Sequence, residues 1–354
     1  MINDMTKGPP LGLIIRFGWP MLIGGLFQLF YNLIDMLIVG QVNGSRDLAA
    51  IGATASATFL VLSVTMGLAT ACSIVMAQFF GAKKEHMVRV TLASSIYISI
   101  ICAIGIAVVG VFVSGSLMRI LQTPPEIIDG ATLYMQICVG GGAGVVIYNS
   151  AAAVLRAVGD SRTPLYFLIL SSLLNIILDL IFVAGFSMGI KGVGIATVIA
   201  QVVSATLCVL YIAWRYPIFH LSLREMRPNW KNIRLILRIG FSLALQGLFI
   251  AIGEMTILGV VNSFGTNVVA AYSTCLRVQQ FAILLHFTIT EAFAVYAGQN
   301  LGARCFDRIR EGFWKVTGVL MVLCLFSSVL VYFYGDSFVH LFITASDPNL
   351  ESIV

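Results

Sequence analysis

The chain has 354 residues, 59% of them apolar and 10% charged, with a formal net charge of +5 and a mean hydropathy of +0.96. An ordinary soluble domain is about 45–50% apolar and about 25% charged, so these figures argue against a soluble enzyme and imply a polytopic membrane protein. Residues 48–82, 90–118 and 130–155 each contain no Asp, Glu, Lys or Arg, and each is longer than the roughly 20 helical residues that cross a hydrocarbon core.

Cutting the chain at charge clusters and at Gly, Pro and Asn turns predicts nine membrane helices, at 11–40, 47–80, 88–115, 128–155, 163–186, 192–214, 235–262, 268–300 and 312–335, with a tenth beginning near Pro348. Helices are expected because open strand edges do not survive in lipid, and no period-two alternation of the barrel kind is visible. Lys7 followed by an apolar run resembles a signal peptide, but the run continues past Val39 without a small-residue cleavage site, so it reads as a retained first span. Cytoplasmic loops accumulate Lys and Arg. Of the 21 basic residues, 17 fall on the N-terminal flank and the even-numbered loops, which predicts a cytoplasmic N-terminus; the expected location is the plasma (inner) membrane. That placement also explains the net charge without a nucleic-acid partner. The seven cysteines form no CxxC pair and read as small buried hydrophobes, and no cofactor is expected.

The second half of the chain repeats the first. A displacement of 222 superposes Leu13, Ile14, Arg16, Gly18 and Gly25 on Leu235, Ile236, Arg238, Gly240 and Gly247. One of 221 superposes Gln78, Gly81, Ala82 and Arg89 on Gln299, Gly302, Ala303 and Arg310. A unit of six spans enters and leaves on the same side, so the repeat is parallel. The expected organisation is a six-helix lobe over 1–214, a cytoplasmic linker over 215–234 containing Pro217 and Pro228, and a second lobe over 235–354. Two whole copies need about 444 residues, so the second lobe reads as incomplete, with three to four of six helices.

A charge at mid-membrane costs about 2.5–3.5 kcal/mol on insertion scales, so each embedded charge calls for a partner or a task. Asp35, Asp179, Glu254, Arg277 and Glu291 qualify. Asp35 lies 19 residues beyond Arg16, and Asp179 lies 17 beyond Arg162, about 26–28 Å along each helix, so both acids reach similar depth. Gln28, Asn32 and Asp35 fall at i, i+4 and i+7, and Asn175 and Asp179 at i and i+4, which predicts one polar stripe on each helix. Thr197 and Tyr134 sit near the same depth. Carboxylates with amide and hydroxyl oxygens suit either a small hard cation such as Na⁺ or a proton shared by a carboxyl pair. Hydrogen-bonded helix glue is the structural alternative for the two acids. Glu254 and Arg277 flank the outer turn near Ser263 and are expected to form an ion pair. Glu291 has no evident partner and is expected to face a water-filled cavity. Pro20 removes a backbone hydrogen bond inside the first span and permits a bend there. Gly140, Gly141, Gly142 and Gly144 read as a close helix-packing surface, with no strand before them to support a phosphate loop.

These residues together resemble the multidrug and toxic compound extrusion (MATE) transporters of bacteria. The resemblance rests on Pro20 fifteen residues before Asp35, on the segment Arg156-Ala157-Val158-Gly159-Asp160-Ser161-Arg162-Thr163-Pro164, on Asn175 with Asp179, and on the helix ends Gln78 to Gly81-Ala82 and Gln299 to Gly302-Ala303. It implies two six-helix lobes forming a V around a central cavity, and a monomer that exports small organic, often cationic, compounds by alternating access against inward Na⁺ or H⁺ flow. The family's cation site falls on Asp35, Tyr134, Asn175, Asp179 and Thr197, and Glu254 lies in the helix where some branches carry a further acid. A lipid-linked oligosaccharide flippase is the nearest alternative, but it calls for several cavity-lining bases, and Arg277 is the one embedded base. A membrane enzyme is disfavoured by the lack of an HExxH or Walker A pattern. A non-transporting structural membrane protein is the remaining reading if the last helices are missing.

Overall fold

The computed structural model describes residues 3–42, 44–121, 123–222, 224–262, 264 and 266–340. The chain runs through α1 (Pro10–Val42), α2 (Ser45–Ala53), α3 (Ala55–Gly81), α4 (Glu85–Ile120), α5 (Ile128–Gly140), α6 (Ala143–Ala157), α7 (Arg162–Asp179), α8 (Gly189–Arg215), α9 (Trp230–Asn262), α10 (Thr266–Gly302) and α11 (Phe306–His340). A π-helical turn, Leu180–Gly185, prolongs α7, and a single 3₁₀ turn, Pro217–Phe219, follows α8. No strand occurs among the described residues.

Every predicted span from 11 to 335 is helical, with three local differences. The helix expected over 47–80 is divided at Thr54, whose hydroxyl donates back to the Ile51 carbonyl at 2.7 Å. The one expected over 128–155 is broken at Gly141 and Gly142, where α5 and α6 meet at 46°. The seventh span begins at Trp230 rather than 235, because Asn229 Oδ1 accepts the Asn232 N–H at 3.1 Å and caps the new helix. The tenth span expected near Pro348 lies outside the described residues.

Among the described residues, seven helical runs are long and apolar enough to cross a membrane, and eight if the bent α5–α6 pair is one span. α10, 37 residues long and carrying Arg277, His286 and Glu291, is not among them. Large apolar side chains point outward, with Phe112 82% and Ile101 70% exposed, whereas the buried set is rich in Ala and Val. That inversion is what a lipid-facing bundle requires: lipid tails match the apolar exterior, and small residues let helices approach.

The two halves pack through equivalent residues. A Cβ on Gly18 of α1 would meet Ala292 of α10 at 3.4 Å, and one on Gly240 of α9 would meet Ala71 of α3 at 3.5 Å. A Cβ on Gly25 would overlap Leu284, while its counterpart Gly247 lies against Ser63. At the basic end, a Cβ on Gly81 would overlap the Gln299 carbonyl, and one on Gly302 would overlap the Gln78 carbonyl. Each contact is exchanged for its partner by the displacements of 222 and 221 read from the sequence, so a pseudo-twofold axis relates the halves. The glycine-rich stretch likewise behaves as a packing surface against α8: a Cβ on Gly144 would lie 2.8 Å from the Val202 backbone nitrogen, and one on Gly141 would overlap Val198.

Candidate functional site

α1 and α7 lie side by side, with Gly24 of α1 against Leu165 and Leu168 of α7. The start of α7 is fixed by Asp160. Its carboxylate accepts the Arg162 and Thr163 backbone N–H groups at 3.0 Å each, the Thr163 hydroxyl at 2.7 Å, and the Tyr216 hydroxyl. Burial opposes the Asp160 charge, but these hydrogen bonds outweigh it and hold the carboxyl below the usual carboxylate range. Gly159 precedes it at φ +83°, a left-handed conformation in which a Cβ would also strike Asn3. The most distinctive segment of the sequence is therefore a helix-start device.

Further along the same interface α7 presents Asn175 and Asp179, both almost wholly buried, towards Asp35 of α1. With its amide turned so that every neighbour is satisfied, Asn175 donates to Asp35 Oδ1 at 3.0 Å and to Asp179 Oδ2 at 3.2 Å. Its own oxygen then accepts the Thr197 backbone N–H at 3.2 Å. One amide nitrogen therefore serves both carboxyls, which lie side by side and interact directly through their charges. The second Asp179 oxygen, Oδ1, is buried without a hydrogen-bond partner among the described residues. Thr197 comes from α8, where its hydroxyl donates to the Val193 carbonyl at 3.0 Å. Tyr134 of α5 lies within electrostatic reach of Asp35 and of Tyr31. The π-helical turn begins at the residue after Asp179, an interruption of a kind often found at functional positions.

The structure thus brings together Asp35, Asn175, Asp179, Thr197 and Tyr134. It adds Tyr31, which lies beside Asp35 and Thr197 and shares the wall of a small void with Asn175 and Thr197. A void of about 10 Å³ among Gln28, Tyr31, Ser171, Asn175, Thr197 and Gln201 lies beside the acids, about the space one water-sized probe occupies. Gln28 keeps a place at this wall although exposed, whereas Asn32 is exposed and does not line the void. At 100° per residue Asn32 turns roughly 60° from Asp35, and Tyr31 roughly 40° to the other side. The signal for Tyr31 was its i−4 spacing from Asp35.

The remaining embedded charges divide. Glu291 does not stand alone in a cavity: it forms an ion pair with Arg156 of α6 at 3.4 Å, the side chains 13% and 17% exposed. Arg156 reaches it because α6 ends beside α10, where Gln299 Nε2 donates to the Ala157 carbonyl at 2.9 Å. Gln299 Oε1 also accepts the Met5 N–H at 2.9 Å, and Arg308 donates to Asn300 Oδ1 and to the Gly8 carbonyl. These bonds tie both halves together at the basic end. Glu254 is exposed on α9; its expected pair with Arg277 lies outside the described residues, because the Arg277 side chain does. Pro20 is buried within the unbroken run of α1.

An all-helical, multi-pass bundle of related halves, with paired acids buried between two of its helices, defines a membrane transport fold. The MatE family model matches residues 20–181 and 242–351, and the chain belongs to that family of multidrug transporters. It is 30% identical over 344 residues to the probable multidrug resistance protein YpnP of Bacillus subtilis, spanning 97% of this chain and 77% of that one. It is 24% identical to the multidrug export protein MepA of Staphylococcus aureus, over 96% of this chain and 75% of the other. Among solved structures, a MOP superfamily transporter from Pyrococcus furiosus superposes with a TM-score of 0.91 at 24% identity, over 98% of this chain and 77% of that one. A MATE transporter in a bent conformation superposes with a TM-score of 0.89 at 25% identity, over 98% and 78%.

Proposed function

We propose that this chain exports small organic, often cationic, compounds by alternating access, driven by inward Na⁺ or H⁺ bound at Asp35 and Asp179, in a plasma membrane with its N-terminus cytoplasmic. The observation that carries this reading is that one buried amide, Asn175, reaches both carboxyls, Asp35 Oδ1 at 3.0 Å and Asp179 Oδ2 at 3.2 Å, so the two acids share one site. Two anions that close repel each other, and a proton or a small cation between them offsets the repulsion. Asn175 is suited to both occupants. In one amide orientation its NH₂ group serves both acids, and in the other it presents its oxygen, so that with Thr197 Oγ1 and Asp179 Oδ1, unpartnered among the described residues, a set of hard oxygen ligands is available to Na⁺. The relatives named for multidrug resistance and export support the substrate class.

Occupancy at this site changes what α1 gains by staying against α7. Pro20 lacks the N–H that would return to the Arg16 carbonyl, so α1 resists bending least there. A bend at Pro20 would move Asp35 relative to Asn175 and Asp179, coupling ion release to drug movement. The chain acts as a monomer and as a carrier with no chemical step.

The test is gradient-driven uptake of an organic-cation dye into proteoliposomes. Asp35→Asn and Asp179→Asn should each abolish gradient-driven transport while leaving dye binding in place. Transport unchanged in either variant sinks the mechanism. Measuring the wild type at fixed pH with and without Na⁺ separates the two ions.

A further inference from the structure

Between the basic ends of α1 and α7 opens a cavity of about 500 Å³, 19 residues along α1 from Asp35 and so about 28 Å from the acid cluster. Arg16 and Trp19 line it from α1, and Arg162 and Tyr166 from α7. The spacings, three residues on one helix and four on the other, set each aromatic ring one turn deeper than its arginine on the same face. All four side chains are exposed, Trp19 by 60% and Tyr166 by 63%. Among the described residues neither guanidinium has a carboxylate within salt-bridge distance, in contrast to Arg89 and Arg156, which are both paired. The deeper wall, with Ile23 and Leu165, is apolar.

A third feature points to a ligand. Pro20 also lines the cavity, and the hydrogen bond it cannot make is the one to the Arg16 carbonyl, so a backbone acceptor is left there. Two cations without a carboxylate among the described residues, a carbonyl lacking its usual i+4 donor, two amphipathic rings and an apolar floor are ordered along the helix axes as the parts of a phospholipid are ordered along the membrane normal.

We infer that this cavity binds the headgroup of an anionic glycerophospholipid. The phosphate lies between the two guanidiniums in charge-assisted hydrogen bonds. The rings of Trp19 and Tyr166 lie at the glycerol and ester level where aromatic belts form, and the first acyl carbons run over Ile23 and Leu165. Basic pockets between membrane helices recognise lipid headgroups in this way. Phosphatidylcholine offers the same phosphate but brings a quaternary ammonium with no donor beside two arginines, so the site discriminates against it.

Native mass spectrometry of the full chain, equilibrated with phosphatidylglycerol and phosphatidylcholine, tests the assignment. The wild type should retain phosphatidylglycerol preferentially. Arg16→Gln with Arg162→Gln should weaken that retention roughly 30-fold, each single change about fivefold. Arg16→Lys with Arg162→Lys should keep most of it, and Arg227→Gln, on the exposed linker, should leave it unchanged. Undiminished phosphatidylglycerol binding in the double glutamine variant overturns the proposal. Two arms need only the wild type, so they decide even if that variant fails to fold. Equal retention of both lipids, or complete displacement of phosphatidylglycerol by excess inorganic phosphate, overturns the lipid site as well.

Discussion

At Asp179 one oxygen is held by Asn175 and the other is buried without a partner among the described residues. Hydrogen bonds to charged groups contribute about 1.5–3 kcal/mol each, so Asn175, which serves both acids, is the residue whose loss should most alter ion binding. Asn175→Ala is expected to shift the half-saturating concentration of the coupling ion by roughly one to two orders of magnitude in the proteoliposome assay. Tyr31→Phe removes one hydroxyl and keeps the ring, so its shift should be smaller, about tenfold. An effect of Tyr31→Phe equal to that of Asn175→Ala would mean that the tyrosine, not the amide, organises the pair. Depth and periodicity were enough to bring Asp35, Asn175, Asp179, Thr197 and Tyr134 together from the sequence. Tyr31 was hidden because an apolar-looking aromatic at i−4 reads as lipid-facing until the neighbouring helix is known, and Asn32 was favoured because polarity was weighed above angle. Glu291 reads as unpartnered for a related reason: its partner Arg156 lies 135 positions earlier, beyond the reach of any local pattern.

Among the elements, α3 and α10 are the pair most sensitive to added volume, since Gly81 and Gly302 each abut a backbone carbonyl of the opposite helix. Gly302→Ala should destabilise the protein by about 1–3 kcal/mol, the usual cost of overpacking, seen as a lower midpoint in a thermal scan in detergent. Gly318→Ala on α11, where a Cβ meets nothing within 4 Å, should be neutral or slightly stabilising. Equal effects of the two would deny the close crossing. Helix positions were legible because lipid demands long apolar runs, and the repeat was legible because both copies keep the same glycines. The break at Gly141 and Gly142 was not, since glycines that allow close packing and glycines that end a helix are the same residues in a sequence. The true start of α9 was obscured because Lys231 and Arg234 look like linker, while the cap at Asn229 is a single hydrogen bond.

For the molecule as a whole, the joints between halves are polar at the basic end and close-packed along the spans. The Arg156–Glu291 pair crosses that joint. Breaking a buried pair by removing one partner costs about 3–5 kcal/mol, so Glu291→Gln should raise the fraction of molecules with the basic end open, read as a longer distance between spin labels on α6 and α11. Arg156→Gln with Glu291→Gln should restore part of the closed fraction. The linker has its own tie: Arg89 Nε donates to Glu225 Oε1 at 2.7 Å, and that guanidinium, with the Ser222 N–H, holds the Glu225 carboxyl down at about 2. Because the folded value lies below the ordinary 4.5, the stabilisation is present above pH about 4.5 and is lost as pH falls towards 2. Glu225→Gln should remove this pH dependence and make the 216–229 segment easier to cut with a protease at neutral pH.

The exchanged glycine contacts also bear on how the chain is made. α1 and α3 leave the ribosome long before α10 and α9, the helices that cover Gly18, Gly25 and Gly67. Until then the first half holds its closest-packing faces open to lipid or to other proteins in the membrane, and the contacts that lock it are separated by about half the chain or more. Such non-local closure is slow, and the waiting faces are where wrong partners would compete. The pseudo-twofold crossing therefore makes assembly of this transporter a late, all-at-once event, and variants at its glycines should show first as poor yield in the membrane rather than as altered transport.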